Sequence, residues 1–353
     1  MEKIELVLVP TPLMGHLSST VELAKLILAT HPDISIVILI FKLHTDSLTV
    51  NAYLESQSRD LDPTRLIFIT LPPPSNPPDP SSPEFLETLN NHNKQAIKQI
   101  IEDRVLSGSP KPAGFVLDMF NTWMIDVAGE LNVPSYFYFT SGANLLNLFL
   151  HFQSLADDTG VNIIEFNNAD MEFDIPGFKH RVPCKVIPRV LLDVEGNKMV
   201  LNIGRTLRKC NGILVNTFRE LESYTIQTLT EQHHKGNIPA IYPVGPILDL
   251  DSKSHGGHTL KKKDEESVMQ WLDEQPDASV VFLCFGSMGS FHVPQVQEIA
   301  KGLERAGHKF LWSLRHPPPE GKNFGIPSEE TFEDALPEGF LDRTANRGNI
   351  FAL

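Results

Sequence analysis

Two runs of almost uninterrupted apolar residues, Ile4 to Val9 and Ile34 to Phe41, limit this chain more than any other feature. Each carries one polar interruption, Glu5 in the first and Ser35 in the second. A strand with one wet face alternates apolar and polar residues. A strand that is apolar nearly throughout has to be covered on both faces, as in the parallel sheet of an α/β protein. Between the two runs Val21, Leu23, Ala24, Ile27 and Leu28 recur at helical spacing. Ser19-Thr-Val-Glu22 has the form of a capping box that would start that helix. The stretch predicts a βαβ unit.

The alternation continues along the chain. Strands are expected at Leu66 to Leu71, Gly114 to Asp118, Ser135 to Phe139, Gly212 to Asn216 and Ala240 to Val244. Helices are expected from Phe85 to Val105, Trp123 to Leu131 and Asn144 to Leu155, and Pro72 to Pro83 is too proline-rich for either. Residues 249–264 are polar, contain glycine and show no periodicity, which marks a linker or exposed loop. Beyond it a second βαβ unit is expected. A helix begins over Val268 to Leu272 and a strand follows at Val280 to Phe285. A helix from Pro294 to Arg305 is closed by Gly307, and a strand runs from Lys309 to Leu314. The expected organisation is a Rossmann-like domain over 1–248, a linker over 249–265 and a partial second Rossmann-like domain over 266–353.

The balance of 30 Lys+Arg against 44 Asp+Glu, a formal net charge of −14, argues against non-specific binding to nucleic acid or anionic membranes. A small anionic ligand needs only local donors and stays open. Cys184, Cys210 and Cys284 are too widely spaced for a disulfide framework or a CxxC metal pair. No signal-type segment or bilayer-length apolar run is read, so a cytoplasmic monomer without a membrane span is expected.

Open parallel sheets bind ligands beyond the carboxyl ends of their strands. His16 follows the first strand, Asp118 ends the strand Gly-Phe-Val-Leu-Asp, Thr140 and Ser141 follow Tyr-Phe-Tyr-Phe, and Gly286-Ser-Met-Gly-Ser290 follows the strand of the second half. A neutral imidazole takes a proton near neutral pH, and a carboxylate on its other nitrogen fixes the tautomer. His16 and Asp118 read equally as a base with its partner or as a helix-capping histidine and an ordinary strand-end acid. The Gly286 to Ser290 loop reads either as a phosphate cradle or as plain turn glycines, and it matches neither Gly-x-Gly-x-x-Gly nor a P-loop. No Gly-x-Ser-x-Gly elbow is present, so a hydrolase nucleophile is not indicated. Phe120, Trp123, Phe149 and Phe152 read as core or as the lining of an aromatic-substrate pocket. His255 and His258 lack further ligands, and His233, His234 and Lys261 to Lys263 read as solvated surface, so no metal site is expected.

Val9-Pro-Thr-Pro-Leu-Met-Gly-His-Leu, Val116-Leu-Asp-Met-Phe, Phe139-Thr-Ser-Gly-Ala, Ile175-Pro-Gly-Phe and Gly212-Ile-Leu-Val-Asn-Thr-Phe-Arg-Glu-Leu-Glu occur in that order. With these pieces the chain resembles the plant family 1 UDP-dependent glycosyltransferases, in particular those acting on flavonoids and other phenolics. Then come Tyr242-Pro-Val-Gly-Pro, Trp271-Leu-Asp, Phe285-Gly-Ser-Met-Gly-Ser, Phe310-Leu-Trp-Ser-Leu-Arg and Leu336-Pro-Glu-Gly-Phe. They follow family order over essentially the whole chain.

The resemblance implies an α/β protein of GT-B type, with two Rossmann-like domains with parallel sheets facing across a cleft, the second incomplete. It implies inverting transfer of glucose from UDP-glucose, a co-substrate, to a small phenolic acceptor, with no resident cofactor or metal. In that reading His16 is the general base and Asp118 its partner. Thr140 lies near the sugar, Ser287 near the diphosphate, and Phe120 and Trp123 at the acceptor. Family members continue past Asn349-Ile-Phe-Ala-Leu353 with a Trp-Ala-Pro-Gln segment that opens the donor-binding signature. The expectation is therefore weak donor binding and exposed apolar edges in the second domain, with a catalytically inactive, truncated acceptor-binding fragment as the alternative. A nicotinamide dehydrogenase, suggested only by the α/β alternation, lacks the glycine fingerprint.

Overall fold

The computed structural model describes residues 4–41, 47–57, 62–74, 85–166, 169–250, 262–286, 291–314 and 332–352. The chain folds into two compact units, Met1–Lys253 and Ser254–Leu353.

In chain order the first unit runs β1 (Ile4–Val9), α1 (Met14–Thr30), β2 (Ile34–Ile40), α2 (Ser47–Gln57), β3 (Leu66–Thr70), α3 (Phe85–Leu106), β4 (Gly114–Asp118), α4 (Met124–Glu130), β5 (Ser135–Phe139) and α5 (Ala143–Thr159). It continues with a short antiparallel pair, β6 (Glu172–Phe173) and β7 (Val182–Pro183), then α6 (Arg189–Leu192), α7 (Val194–Leu207), β8 (Gly212–Val215), α8 (Ser223–His234) and β9 (Ala240–Pro243). The main sheet is parallel with the order β3-β2-β1-β4-β5-β8-β9.

The apolar strands are buried on both faces. Val7, Val9, Val37, Leu39, Phe115, Leu117, Phe137 and Phe139 enter one core, with residues of α3, α4, α5 and α7. Leu8, Ile36, Ile38, Ile40, Val116 and Tyr138 enter the other, against Leu17, Val21, Leu23 and Ala24 of α1 and Val50 and Tyr53 of α2. The period of two along a strand sends neighbours to opposite cores. Asp118 therefore lies on the same face as Val116, the face that α1 covers.

The Ser19 to Glu22 capping box does not start a helix. α1 begins at Met14, immediately after the Pro10-Thr-Pro12 turn, and Leu13 at its N-cap supplies no side-chain cap. Ser19 and Glu22 lie within the helix and serve elsewhere. Ser19 Oγ meets Tyr138 OH at 2.6 Å, and Glu22 accepts from Lys25 Nζ at 2.6 Å. Helices α2, α6, α7 and α8 were not anticipated. α7 starts at an N-cap, Asp193, whose carboxylate accepts from Gly196 N at 2.9 Å. His233, read as solvated, is half-buried and bonds through Nδ1 to Ile238 O at 3.1 Å.

The second unit runs α9 (Lys262–Asp273), β10 (Val280–Leu283), α10 (Val293–Ala306), β11 (Lys309–Leu314), α11 (Phe340–Thr344) and β12 (Gly348–Ala352), with a parallel sheet in the order β10-β11-β12. β12 was not anticipated; it pairs with β11 from Phe310↔Gly348 to Leu314↔Ala352. Phe310, Trp312, Leu314, Val296, Ala300 and Phe340 form its core. α10 has Pro294 in its first turn, as expected, and a capping box made by His292 and Gln295. It ends at Gly307, whose φ of 72° is the left-handed conformation that glycine adopts without strain. On β10 and just after it, Val281, Phe282 and Phe285 are exposed.

Candidate active site

The strand order reverses at β1: the chain goes from β1 to β2 on one side, and β4 returns to pair with β1 on the other. Ligands of open α/β sheets settle at such a switch point, outside the carboxyl ends. The segment after β1 carries His16 in the first turn of α1, and the last residue of β4 is Asp118. Asp118 is also the cross-strand neighbour of Tyr138 on β5.

The structure brings His16, Asp118, Thr140 and Phe120 together. His16 Nδ1 lies 2.7 Å from Asp118 Oδ2, and the Asp118 side chain is fully buried while that of His16 is 18% exposed. The other carboxylate oxygen, Oδ1, accepts from Thr11 Oγ1 at 2.6 Å and from the Phe120 backbone N–H at 3.0 Å. Asn121 closes the corner beneath, donating through Nδ2 to Val9 O at 2.9 Å. An ionised carboxylate accepts only, so Nδ1 holds its proton towards Asp118 and Nε2 keeps a lone pair. Among the described residues Nε2 has no hydrogen-bond partner. A buried acid thus stands against one ring nitrogen of a partly exposed imidazole, an arrangement in which the other nitrogen can accept a proton.

Thr140 Oγ1 stands 3.4 Å from His16 Nδ1 and 3.9 Å from Met119 Sδ. Since Nδ1 already serves Asp118 at the shorter distance, the Thr140 hydroxyl keeps hydrogen-bonding capacity for a ligand. The Phe120 ring sits 5.3 Å from the His16 ring, tilted by 50°. Trp123 is half-buried one turn further on and packs edge-on against Phe41 at 6.1 Å. Phe149 and Phe152 are core residues, 3% and 1% exposed. Ser287 lies outside the described residues.

Besides Asn121, three contributors to this corner were not singled out from sequence. Thr11 sits inside a motif read for its glycine and histidine. Tyr138 ties β5 to α1 through Ser19, one helical turn after His16. Burial, with a smaller contribution from the Asp118 charge, pushes the Tyr138 phenol up to about 12 against the pull of the Ser19 bond. Glu222 supplies the cap that α5 lacks locally, accepting from Ala143 N at 2.7 Å and Asn144 N at 2.8 Å, 79 and 78 residues away. It thereby fixes the start of α5, three residues after Thr140. No local signal marks a cap so distant.

A cavity of about 580 Å³ lies elsewhere in the first unit, lined by His151, Asp157, Arg208 and Gln232 among others, and holds none of these residues. Its Arg208 guanidinium is already spent on Gln153, Asn237, Leu150 and Ser154. Among the described residues no cluster of three His, Cys, Asp or Glu is placed to hold a metal ion, and no helix is long and apolar enough to cross a membrane.

No family model matches the chain. Similar curated proteins include UDP-glycosyltransferase 71E1 of Stevia rebaudiana, 42% identical over 349 residues, covering 98% of this chain and 70% of that protein. Putative UDP-glucose flavonoid 3-O-glucosyltransferase 3 of Fragaria ananassa is 42% identical over 354 residues, with 98% and 72% covered. Among solved structures, a UGT transferase from Siraitia grosvenorii in complex with UDP matches with a TM-score of 0.85 at 40% identity, over 99% of this chain and 73% of that one. Medicago truncatula UGT71G1 complexed with UDP-glucose matches with a TM-score of 0.78 at 34% identity, over 99% and 72%.

Proposed function

The chain belongs to the plant UDP-glycosyltransferases and is a glycosyltransferase of GT-B type, and from that premise we propose that it transfers glucose from UDP-glucose to a hydroxyl of a flavonoid or other phenolic, with inversion. The observation that carries the mechanism is the 2.7 Å contact between His16 Nδ1 and the buried Asp118 carboxylate at the switch point.

His16 Nε2 takes the proton of the acceptor hydroxyl as its oxygen attacks the anomeric carbon. The new bond to the acceptor oxygen forms as the bond to the diphosphate oxygen breaks, and UDP departs with that electron pair. A single displacement inverts the anomeric centre without a covalent enzyme intermediate. Asp118 stabilises the imidazolium that forms. A phenol suits this base because it releases its proton more readily than an alcohol. Phe120, tilted beside His16, is the residue we assign to the flat face of the acceptor, with Trp123 behind it. Thr140 is assigned to the sugar.

The test is product formation by the 353-residue chain with UDP-glucose and a panel of flavonols and simple phenols, read by mass spectrometry beside His16→Ala. A glucoside whose rate falls about 10²–10⁴-fold in the variant is the expected outcome. A glucoside formed at equal rate by both proteins overturns the role of His16.

A further inference from the structure

The dyad has a third member that neither the family match nor the motif reading assigns. We propose that Thr11 is a positioning residue, which holds the Asp118 carboxylate in the rotation that keeps Oδ2 on His16. The proposal rests on the reading of His16 as the base.

The geometry is specific. A carboxylate at the end of a strand turns about its terminal torsion through a broad, roughly two-fold well, so its orientation is set by what holds its oxygens. Asp118 Oδ1 is held from two directions, by Thr11 Oγ1 at 2.6 Å and by the Phe120 N–H at 3.0 Å. The Phe120 donor comes from the chain just after β4 and moves with Asp118. Thr11 comes from the segment after β1, the same segment that carries His16 five residues on. It is the contact that references the carboxylate to the imidazole's own loop.

The loop is built to keep that donor still. Thr11 stands between Pro10 and Pro12, whose rings fix their own φ, and a residue before proline is itself confined to extended conformations. Its carbonyl accepts from Leu13 N at 2.8 Å, pinning the turn from which α1 departs. A short β-branched side chain at such a place has little rotamer freedom left to lose when it bonds. Charge-assisted hydrogen bonds to a buried carboxylate are the strong kind.

The experiment compares the parent chain with Thr11→Val, which keeps the branched shape and removes the hydroxyl, Thr11→Ser, which keeps the hydroxyl, and His16→Ala. The first readout needs no turnover. A solvent-protected imidazole N–H proton is followed by NMR and assigned by its absence in His16→Ala. Thr11→Val is expected to shift the signal or lose its protection, and Thr11→Ser to restore it. The second readout is the rate of glucoside formation, where Thr11→Val is expected to lower kcat about 10- to 100-fold with little change in acceptor KM. An imidazole signal unmoved in Thr11→Val, or no protected signal in the parent, overturns the positioning role. Unchanged turnover in His16→Ala overturns the general-base reading instead, so the two failures are distinguishable.

Discussion

Replacing Asp118 by Asn tests the tautomer argument most directly, because the surrounding donors dictate how the amide must sit. Thr11 Oγ1 and the Phe120 N–H both donate to Oδ1, so the amide oxygen has to occupy that position. The opposite rotamer would aim the NH₂ group at two donors, leaving both unsatisfied in a buried corner at about 1–3 kcal/mol each. The NH₂ group then faces His16 Nδ1 at the place where Oδ2 stood, 2.7 Å away. An amide there donates, so the imidazole proton moves to Nε2, the nitrogen to which the proposed mechanism assigns the acceptor's proton. The shape of the site is kept while the proposed function as a base is removed. Asp118→Asn is expected to lower glucoside formation about 10²–10⁴-fold, the range that general-base catalysis supplies. The same chain, labelled with ¹⁵N at histidine, should show His16 protonated at Nε2 in the variant and at Nδ1 in the parent. A variant with His16 still protonated at Nδ1, or a rate within about threefold of the parent, refutes the reasoning.

Two further outcomes follow from packing and ionisation. Gly204 on α7 sits against α5, where an added Cβ would meet Gln153 Cβ at 2.8 Å and Phe149 O at 3.3 Å. Gly302 on α10 is exposed with nothing within 4 Å. Alanine is the better helix former by about 1 kcal/mol at both sites, yet overpacking costs about 1–3 kcal/mol at the first. Denaturant unfolding should therefore show Gly204→Ala destabilised and Gly302→Ala stabilised, and equal signs would defeat the argument. The Tyr138 phenol, raised from 10.0 to about 12 chiefly by burial, binds its proton more tightly in the fold than in the unfolded chain. Its stabilisation is complete below pH 10 and is lost as pH rises from 10 towards 12, at up to about 1.4 kcal/mol per pH unit. Unfolding midpoints measured between pH 9 and 11.5 should fall less steeply in Tyr138→Phe. Tyr53, raised mainly by burial as well, keeps part of the slope. An unchanged slope in Tyr138→Phe refutes that assignment.

What could be read along the chain was governed by how local each cause is. Strands β4, β5 and β11 match their expected limits, Gly114–Asp118, Ser135–Phe139 and Lys309–Leu314, because a short, mostly apolar run with a polar residue at one end has few other uses. The start of α1 was misplaced because a capping box is a local pattern, and the Pro10-Thr-Pro12 turn ends where the helix can already begin. The half-polar helices α7 and α8 carry their apolar residues among many polar ones, so their pattern was passed over, although Asp193 caps α7. Glu222, Tyr138 and Thr11 act across the sheet and leave no mark on their neighbours in sequence.

The pairing of His16 with Asp118 lies between these extremes, and the topology explains how. Crossovers between parallel strands are right-handed, so the helix after β1 that leads to β2 and the helix after β4 that leads to β5 in the opposite direction must cover opposite faces of the sheet. The cores show this: Leu17 and Val21 of α1 pack on one face, Met124 and Val127 of α4 on the other. At the switch point the loops after β1 and β4 therefore part to opposite sides, opening a crevice between adjacent strand ends. A residue at the end of β4 with the parity of Val116 faces the α1 side of that crevice, where the first turn of α1 presents His16. The even numbering of Asp118, together with the reversal of strand order, brings acid and imidazole together from 102 residues apart. Only the strand order had to be seen. Shifting Asp118 by one residue along β4 would turn its carboxylate to the opposite core and leave His16 without an acidic partner.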